Sequence, residues 1–241
     1  MRMLTAAIAL TLSGLSHAYT AEELISKNIE SHGGLAALKA IENTTATGKM
    51  TFGDGGDFSL DLALKVVQSR PGNSRMEATF QGMTMVNAFD GKDAWTISPF
   101  EGRVDPQRNS SDEAKMAKIN ADLEGQLVDY KAKGYEVKYL GMEDVDGTNA
   151  HKLRVKLNAT DSRTFFLDPD FFLEIRMEDR FQIRGAEMVV KTDVGDYEKV
   201  NGWYLPFYSE TQGQKISIDK IVANSKVEPT QFAFPTVAPK K

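Results

Sequence analysis

Residues 65–104, KVVQSRPGNSRMEATFQGMTMVNAFDGKDAWTISPFEGRV, decide the fold. They read as a strand, an Arg-Pro turn, two further strands, an Asp-Gly turn, a strand carrying Trp95, and a Pro-Phe exit. Just upstream, Phe58, Leu60, Leu62, Leu64 and Val66 alternate with Ser59, Asp61 and Lys65. Side chains of a strand alternate between its two faces, so the even-numbered residues form one oily side. Arg70 shares that parity if the strand runs as far as Pro71. An arginine on an apolar face must find acceptors or stay in water, which makes Arg70 the first candidate site residue.

Working outward, the N-terminus reads as a targeting segment. Arg2 supplies a positive start, Met3 to Leu15 is an apolar run too short to span a bilayer, and Ser16-His17-Ala18 offers a cleavage site. The expectation is a signal peptide over 1–18, a single mature domain over 19–241, and an exported protein of the bacterial periplasm. The chain has no cysteine, which excludes a disulfide framework and an N-terminal lipid-anchored Cys. Removing Arg2 takes the formal charge from −5 to −6. That balance, without a Lys/Arg cluster, argues against nucleic acid and anionic membrane surfaces as partners.

Thr20 and Glu23 form a capping box that opens a helix to about Ser31, and Gly33-Gly34 breaks it before Leu35-Ala36-Ala37-Leu38. Strands are predicted at about 44–53, 57–69, 73–81, 83–89 and 92–98. A second helical insertion starts at Ser110 or Ser111, with Met116, Ile119, Leu123 and Leu127 at helical steps. Strands resume near 135–141, 150–158, 162–168, 171–180, 185–192, 196–200, 203–211 and 215–223. Leu167-Asp168-Pro169-Asp170 reads as a tight hairpin turn.

Roughly a dozen one-sided antiparallel strands must curl around their apolar face. The expected class is α+β but mainly β: an incomplete antiparallel barrel, a curved half-barrel sheet with helices over its concave apolar face. Its lining would include Leu60, Leu62, Leu64, Met76, Phe80, Trp95 and Ile97, with Met116, Ile119 and Leu123 on the lid. The methionines suit an adaptable lipid-facing surface, although gap-filling explains each one singly.

Several motifs carry no chemistry. His32 and His151 lack the partners that a metal or nucleophilic site needs, and both read as surface or structural. Glu143-Asp144-Val145-Asp146-Gly147 lacks the later ligands of a calcium loop. Neither a phosphate-cradling glycine loop nor a nucleophile elbow is present. No metal, cofactor or catalytic residue is therefore expected.

The order of motifs resembles the LolA-like periplasmic lipoprotein carriers and the outer-membrane lipoprotein-sorting proteins. The matching residues are Arg70-Pro71, Asp90-Gly91-Lys92 with Trp95, Pro99-Phe100, Gly202-Trp203-Tyr204-Leu205-Pro206, Ile218 to Asn224, and Phe232-Ala233-Phe234-Pro235. The resemblance implies a lidded half-barrel whose cavity shelters acyl chains. It also implies that Arg70 bonds lid-helix carbonyls when the protein is closed, with an inner-membrane donor and an outer-membrane acceptor as partners of a monomer. The chain is longer than the dedicated carriers, and its Gly33-Gly34-Leu35 pattern is closer to the broader sorting-protein paralogues. A non-enzymatic carrier or chaperone is the leading expectation. A ligand-binding sensor or regulatory module on the same fold is the alternative, and a lipid hydrolase comes third.

Overall fold

The computed structural model describes residues 19–53, 59–183 and 185–235; the expected signal peptide, Phe58 and the 54–57 turn lie outside them. Helix α1 (Ala21–Ser31) starts at the Thr20–Glu23 capping box, and α2 (Leu35–Lys39) follows the glycine pair. Then come β1 (Asn43–Phe52), β2 (Leu60–Ser69), β3 (Asn73–Phe80), β4 (Met83–Phe89), β5 (Ala94–Ser98) and β6 (Arg103–Arg108). Helix α3 (Ser111–Asn120) has its own capping box, Ser110 with Glu113. Seven strands complete the chain: β7 (Glu136–Val145), β8 (Thr148–Lys156), β9 (Ser162–Leu167), β10 (Glu174–Ile183), β11 (Ala186–Val200), β12 (Trp203–Thr211) and β13 (Gln214–Ala223).

All thirteen strands join one open, curved antiparallel sheet in the order β6-β5-β4-β3-β2-β1-β13-β12-β11-β10-β9-β8-β7. Every pairing is between sequence neighbours except β1 with β13, which leaves β6 and β7 as free edges. Hairpins therefore build both halves, and one long-range pairing joins them.

Four details differ from the sequence reading. Strand β6 follows a short 3-10 turn at Pro99–Glu101, where the Pro-Phe pair was read as an exit. The 185–192 and 196–200 segments are one strand, β11. The 168–173 connection is a wider loop in which the Asp168 carboxylate accepts from the Asp170 and Phe171 amides. Helix α3 stops at Asn120, because Ala121 caps it and Asp122 and Gly125 turn the chain. Leu123 and Leu127 keep helical spacing but lie beyond the helix.

Cross-strand register sorts the side chains into two faces. The chain of partners Leu64–Ala78–Met85 lies on the inner face. So does Leu153–Phe165–Met177, which packs with Leu24 and Ile25 of α1. The chain Val67–Arg75–Ala88–Trp95 lies on the outer face.

Candidate ligand-binding face

The inner face is built in three zones. Under α1, Leu24, Ile25, Leu127, Leu153, Val155, Phe165 and Leu167 form a closed core. Beside α2, Leu38 and Ile41 pack with Val128 and Trp203, and Leu123 joins them. The third zone is different. Met50, Leu62, Leu64 and Ala78 are surrounded by partly buried Phe52, Leu60, Val66, Met76, Phe80, Met85, Ile216 and Ile218. All twelve belong to β1, β2, β3, β4 or β13, so among the described residues this cluster has no helical member.

Methionine is concentrated on this face. Of ten methionines, Met1 and Met3 precede the described residues, which leaves eight. Met50, Met76, Met85 and Met177 lie inward by register, as do Met83 opposite Phe80 and Met188 opposite Phe181. Met116 is on α3 and half-buried, and Met142 is exposed on β7. An unbranched, polarizable side chain adapts to ligands of varied shape.

The structure brings Leu60, Leu62, Leu64, Met76 and Phe80 together as expected residues of one face. Trp95 and Ile97 are a correction, because they point to the outer face with Val86 and Ala88. There Trp95 Nε1 donates to the Phe232 carbonyl at 2.8 Å, and Arg75 Nη1 donates to that of Gln231 at 2.9 Å. Phe234 meets the Trp95 ring edge-on at 6.2 Å, with the Arg108 guanidinium 4.4 Å above the phenyl ring. The C-terminal segment thus covers the back of the sheet. Met116 and Ile119 sit on α3, and Ile119 is buried.

Arg70 lies one residue past the end of β2, in the turn preceding Pro71, so strand parity does not set its direction. Its contacts do. Nε donates to the Ile41 carbonyl at 2.8 Å, Nη2 to the Leu38 carbonyl at 3.1 Å, and Nη1 to Glu124 Oε1 at 2.5 Å. Lys39 Nζ reaches the same Glu124 oxygen at 2.7 Å and Asp129 at 2.9 Å. Burial alone would raise the Glu124 carboxyl, but hydrogen bonds from Lys39 and Arg70 outweigh it and hold the group below the usual range. Arg70 thereby ties the end of α2 and the 121–134 segment to one turn of the sheet.

Arg70 is not the sole polar group on the inner side. Arg163 grips Asp179 with two nitrogens, at 2.6 and 2.7 Å. It also donates to Gln126 Oε1 at 2.7 Å and Asn120 Oδ1 at 2.9 Å. Its four contacts anchor the end of α3 and the following loop to β9 and β10.

A second group centres on His32, which is buried and takes the structural of its two expected roles. Its Nδ1 faces the Tyr204 carbonyl at 2.7 Å and Nε2 faces Glu174 Oε2 at 2.8 Å. Both partners are acceptors, so a doubly protonated ring satisfies them. Burial depresses this imidazole, yet the Glu174 charge, its hydrogen bond and the Tyr204 carbonyl together raise it above its ordinary value. Asn28 and Tyr197 donate to the same carboxylate, and the Trp203 indole stacks on the ring at 4.8 Å. Close approach is enforced next door. A Cβ on Gly33, whose φ is +116°, would sit 2.1 Å from the Gly202 carbonyl oxygen. No local pattern announces this group, since its members come from α1, β10, β11 and β12. His151 is also buried, packed between Tyr19 and Phe172 with Tyr139 Oη 3.0 Å from Nδ1.

A cleft of about 310 Å³ opens on the outer side of β7–β9, lined by Lys138, Arg154, Lys156 and Asp161 among others. Its charged wall does not suit an apolar ligand, so the inner face remains the candidate. Among the described residues there is no group of three or more His, Cys, Asp or Glu side chains suited to a metal, and no helix long and apolar enough to cross a membrane.

No protein-family model matches the chain, and no curated protein matches it. Solved structures do. A LolA superfamily protein from Nitrosomonas europaea superposes with a TM-score of 0.59 at 13% identity, over 90% of this chain and 98% of that one. A DUF1329 family protein from Desulfovibrio piger gives 0.58 at 13% identity, over 88% and 97%. A putative outer membrane lipoprotein-sorting protein domain from Vibrio parahaemolyticus gives 0.53 at 13% identity, over 86% and 97%. With the sheet order and the helix-covered inner face, these likenesses establish that the chain has the LolA-like fold.

Proposed function

We propose that the protein is a non-enzymatic periplasmic carrier or chaperone whose inner face shelters acyl chains, of lipoproteins or of another lipid-like ligand. The observation that carries this reading is the methionine-rich apolar cluster around Met50, Leu62, Leu64 and Ala78, whose described members all come from strands of the inner face. Each methylene of a chain laid on such a surface contributes about 0.8 kcal/mol when it leaves water. A modest number of buried methylenes therefore gives usable but reversible affinity.

In this reading the Arg70–Glu124 contact and the Arg70 bonds to the Leu38 and Ile41 carbonyls hold the lid segments down. Charge-assisted bonds of this kind are stronger than neutral ones, yet finite, so a ligand that binds the open form better shifts the balance. Residues 19–241 would act as one domain and one monomer, taking cargo from an inner-membrane donor and delivering it to an outer-membrane acceptor.

Native mass spectrometry of the mature chain purified from periplasm, paired with lipid extraction, tests the proposal. A co-purifying acylated species of defined mass supports it. A chain that stays ligand-free and takes up no added fatty acid or lipopeptide would refute it.

A further inference from the structure

The two ends of the inner face are built differently. At the end holding Asn43, Ser69 and Ala223, polar bonds close the structure. Arg70 holds the Leu38 and Ile41 carbonyls, Asn224 Nδ2 donates to the Ala40 carbonyl at 2.8 Å, and the Tyr204 amide donates to the His32 carbonyl at 2.7 Å. At the other end, where β3 meets β4 and β10 meets β11, the inward residues are apolar. Met83 and Met188 are each 43% exposed there, beside Phe80 and Phe181, their cross-strand partners.

Two described charge pairs near that end turn outward. The Lys49–Asp61 pair at 2.9 Å and the Arg180–Glu187 pair at 3.2 Å both lie on the outer face by register. The inward Arg163–Asp179 pair is engaged with itself and with Asn120 and Gln126. Among the described residues, an incoming chain would meet thioether and phenyl groups on the inner face at this end, with no unpaired charge to desolvate.

We propose that an acyl chain enters the inner face end-on through this mouth, between the β3–β4 and β10–β11 hairpin ends and away from Arg70, with Met83 and Met188 as its two sills. The proposal rests on the carrier reading and adds the direction of entry to it. On this view Arg70 controls how far the lid segments yield once a chain is inside.

Stopped-flow uptake of anthroyloxy-palmitic acid by the full mature chain distinguishes the possibilities. Replacing both sills with charges, Met83→Glu with Met188→Glu, is expected to slow uptake roughly tenfold or more, since a charge in the path raises the entry barrier. Phe171→Glu, an exposed position of the β9–β10 loop at the closed end, is expected to leave the rate unchanged. Unaltered uptake in the double variant, or slowing by Phe171→Glu alone, would overturn the mouth while leaving the carrier reading intact. Failure of the wild-type chain to take up the probe would overturn both. If the charged pair does not fold, Met83→Gln with Met188→Gln replaces it. Slower uptake then supports the mouth, and wild-type uptake refutes it.

Discussion

Arg70 Nη1 donates to Glu124 Oε1 across 2.5 Å, so the turn after β2 and the loop after α3 share one charge pair although they lie 54 residues apart. The same guanidinium holds two carbonyls of the α2 region. Arg70→Leu should therefore release two lid segments at once, at a cost of about 1.5–3 kcal/mol for the lost charged bonds. Amide exchange in residues 35–42 and 121–134 is expected to speed up at least roughly tenfold while that of β8 and β9 stays put. Equal exchange in Arg70→Leu and the wild type would remove the latch from the mechanism. Glu124→Gln should give a smaller effect, because the carbonyl contacts of Arg70 survive.

The His32–Glu174 pair sets a pH window for the attachment of α1. His32 is raised above its ordinary value, so its contribution is complete below that value and is lost as pH rises through the raised one. Glu174 is a carboxylate whose burial is outweighed by His32 and by bonds from His32, its own backbone and Asn28, which hold it below its ordinary value. Its contribution is complete above the ordinary carboxylate value and is lost as pH falls through the lowered one. Both act together between about 4.3 and 6.5, the ordinary values of the two groups. Thermal unfolding from mildly acidic to alkaline pH should show the wild type losing stability above neutrality. His32→Gln should start lower and stay flatter over that range. A wild-type profile parallel to the variant's would mean that the pair does not change charge on unfolding.

Arg163 and Asp179 form a buried ion pair that cannot lose one member cheaply. Arg163→Leu leaves the largely buried Asp179 without its ion-pair partner and frees Asn120 and Gln126 from the sheet. The expected cost is about 3–5 kcal/mol, and the double variant Arg163→Leu/Asp179→Leu should recover part of it. Urea unfolding of the two variants measures the difference. A single variant within about 1 kcal/mol of wild type would contradict a buried, mutually dependent pair.

These three groups differ in how readable they are in the sequence. The alternation of Leu60, Leu62 and Leu64 is a local, period-two signal, and it led directly to a one-sided curled sheet. The capping boxes at Thr20 and Ser110 are equally local, and both helices begin where they indicate. Arg70 was conspicuous beside Pro71, but the parity argument failed because β2 ends at Ser69. Its partners emerge only once α2 and the 121–134 loop fold over the turn. Arg163 and Asp179 are separated by 16 residues and joined by register, and His32 and Glu174 by 142. No periodicity encodes such pairings. Helical spacing misled at Leu123 and Leu127, since it persists into turns where the backbone has already left the helix.

Trp95 gives the sharpest separation between the two faces. Hydrophobic strand residues are equally apolar whichever way they point, and only pairing with Ala88 and Arg75 puts Trp95 on the outer side. The chain has two tryptophans, and the second, Trp203, lies in the inner cluster with Leu38 and Ile41. Single-tryptophan variants therefore report on opposite faces. In Trp203→Phe, the emission of Trp95 should stay fixed when an acyl ligand binds, because its indole remains bonded to the Phe232 carbonyl under the C-terminal segment. In Trp95→Phe, which forfeits that bond at about 1 kcal/mol, Trp203 should respond, because α2 and the 121–134 loop yield once a ligand is inside. A shift of Trp95 with a silent Trp203 would put the ligand on the outer face and overturn the assignment of the inner one.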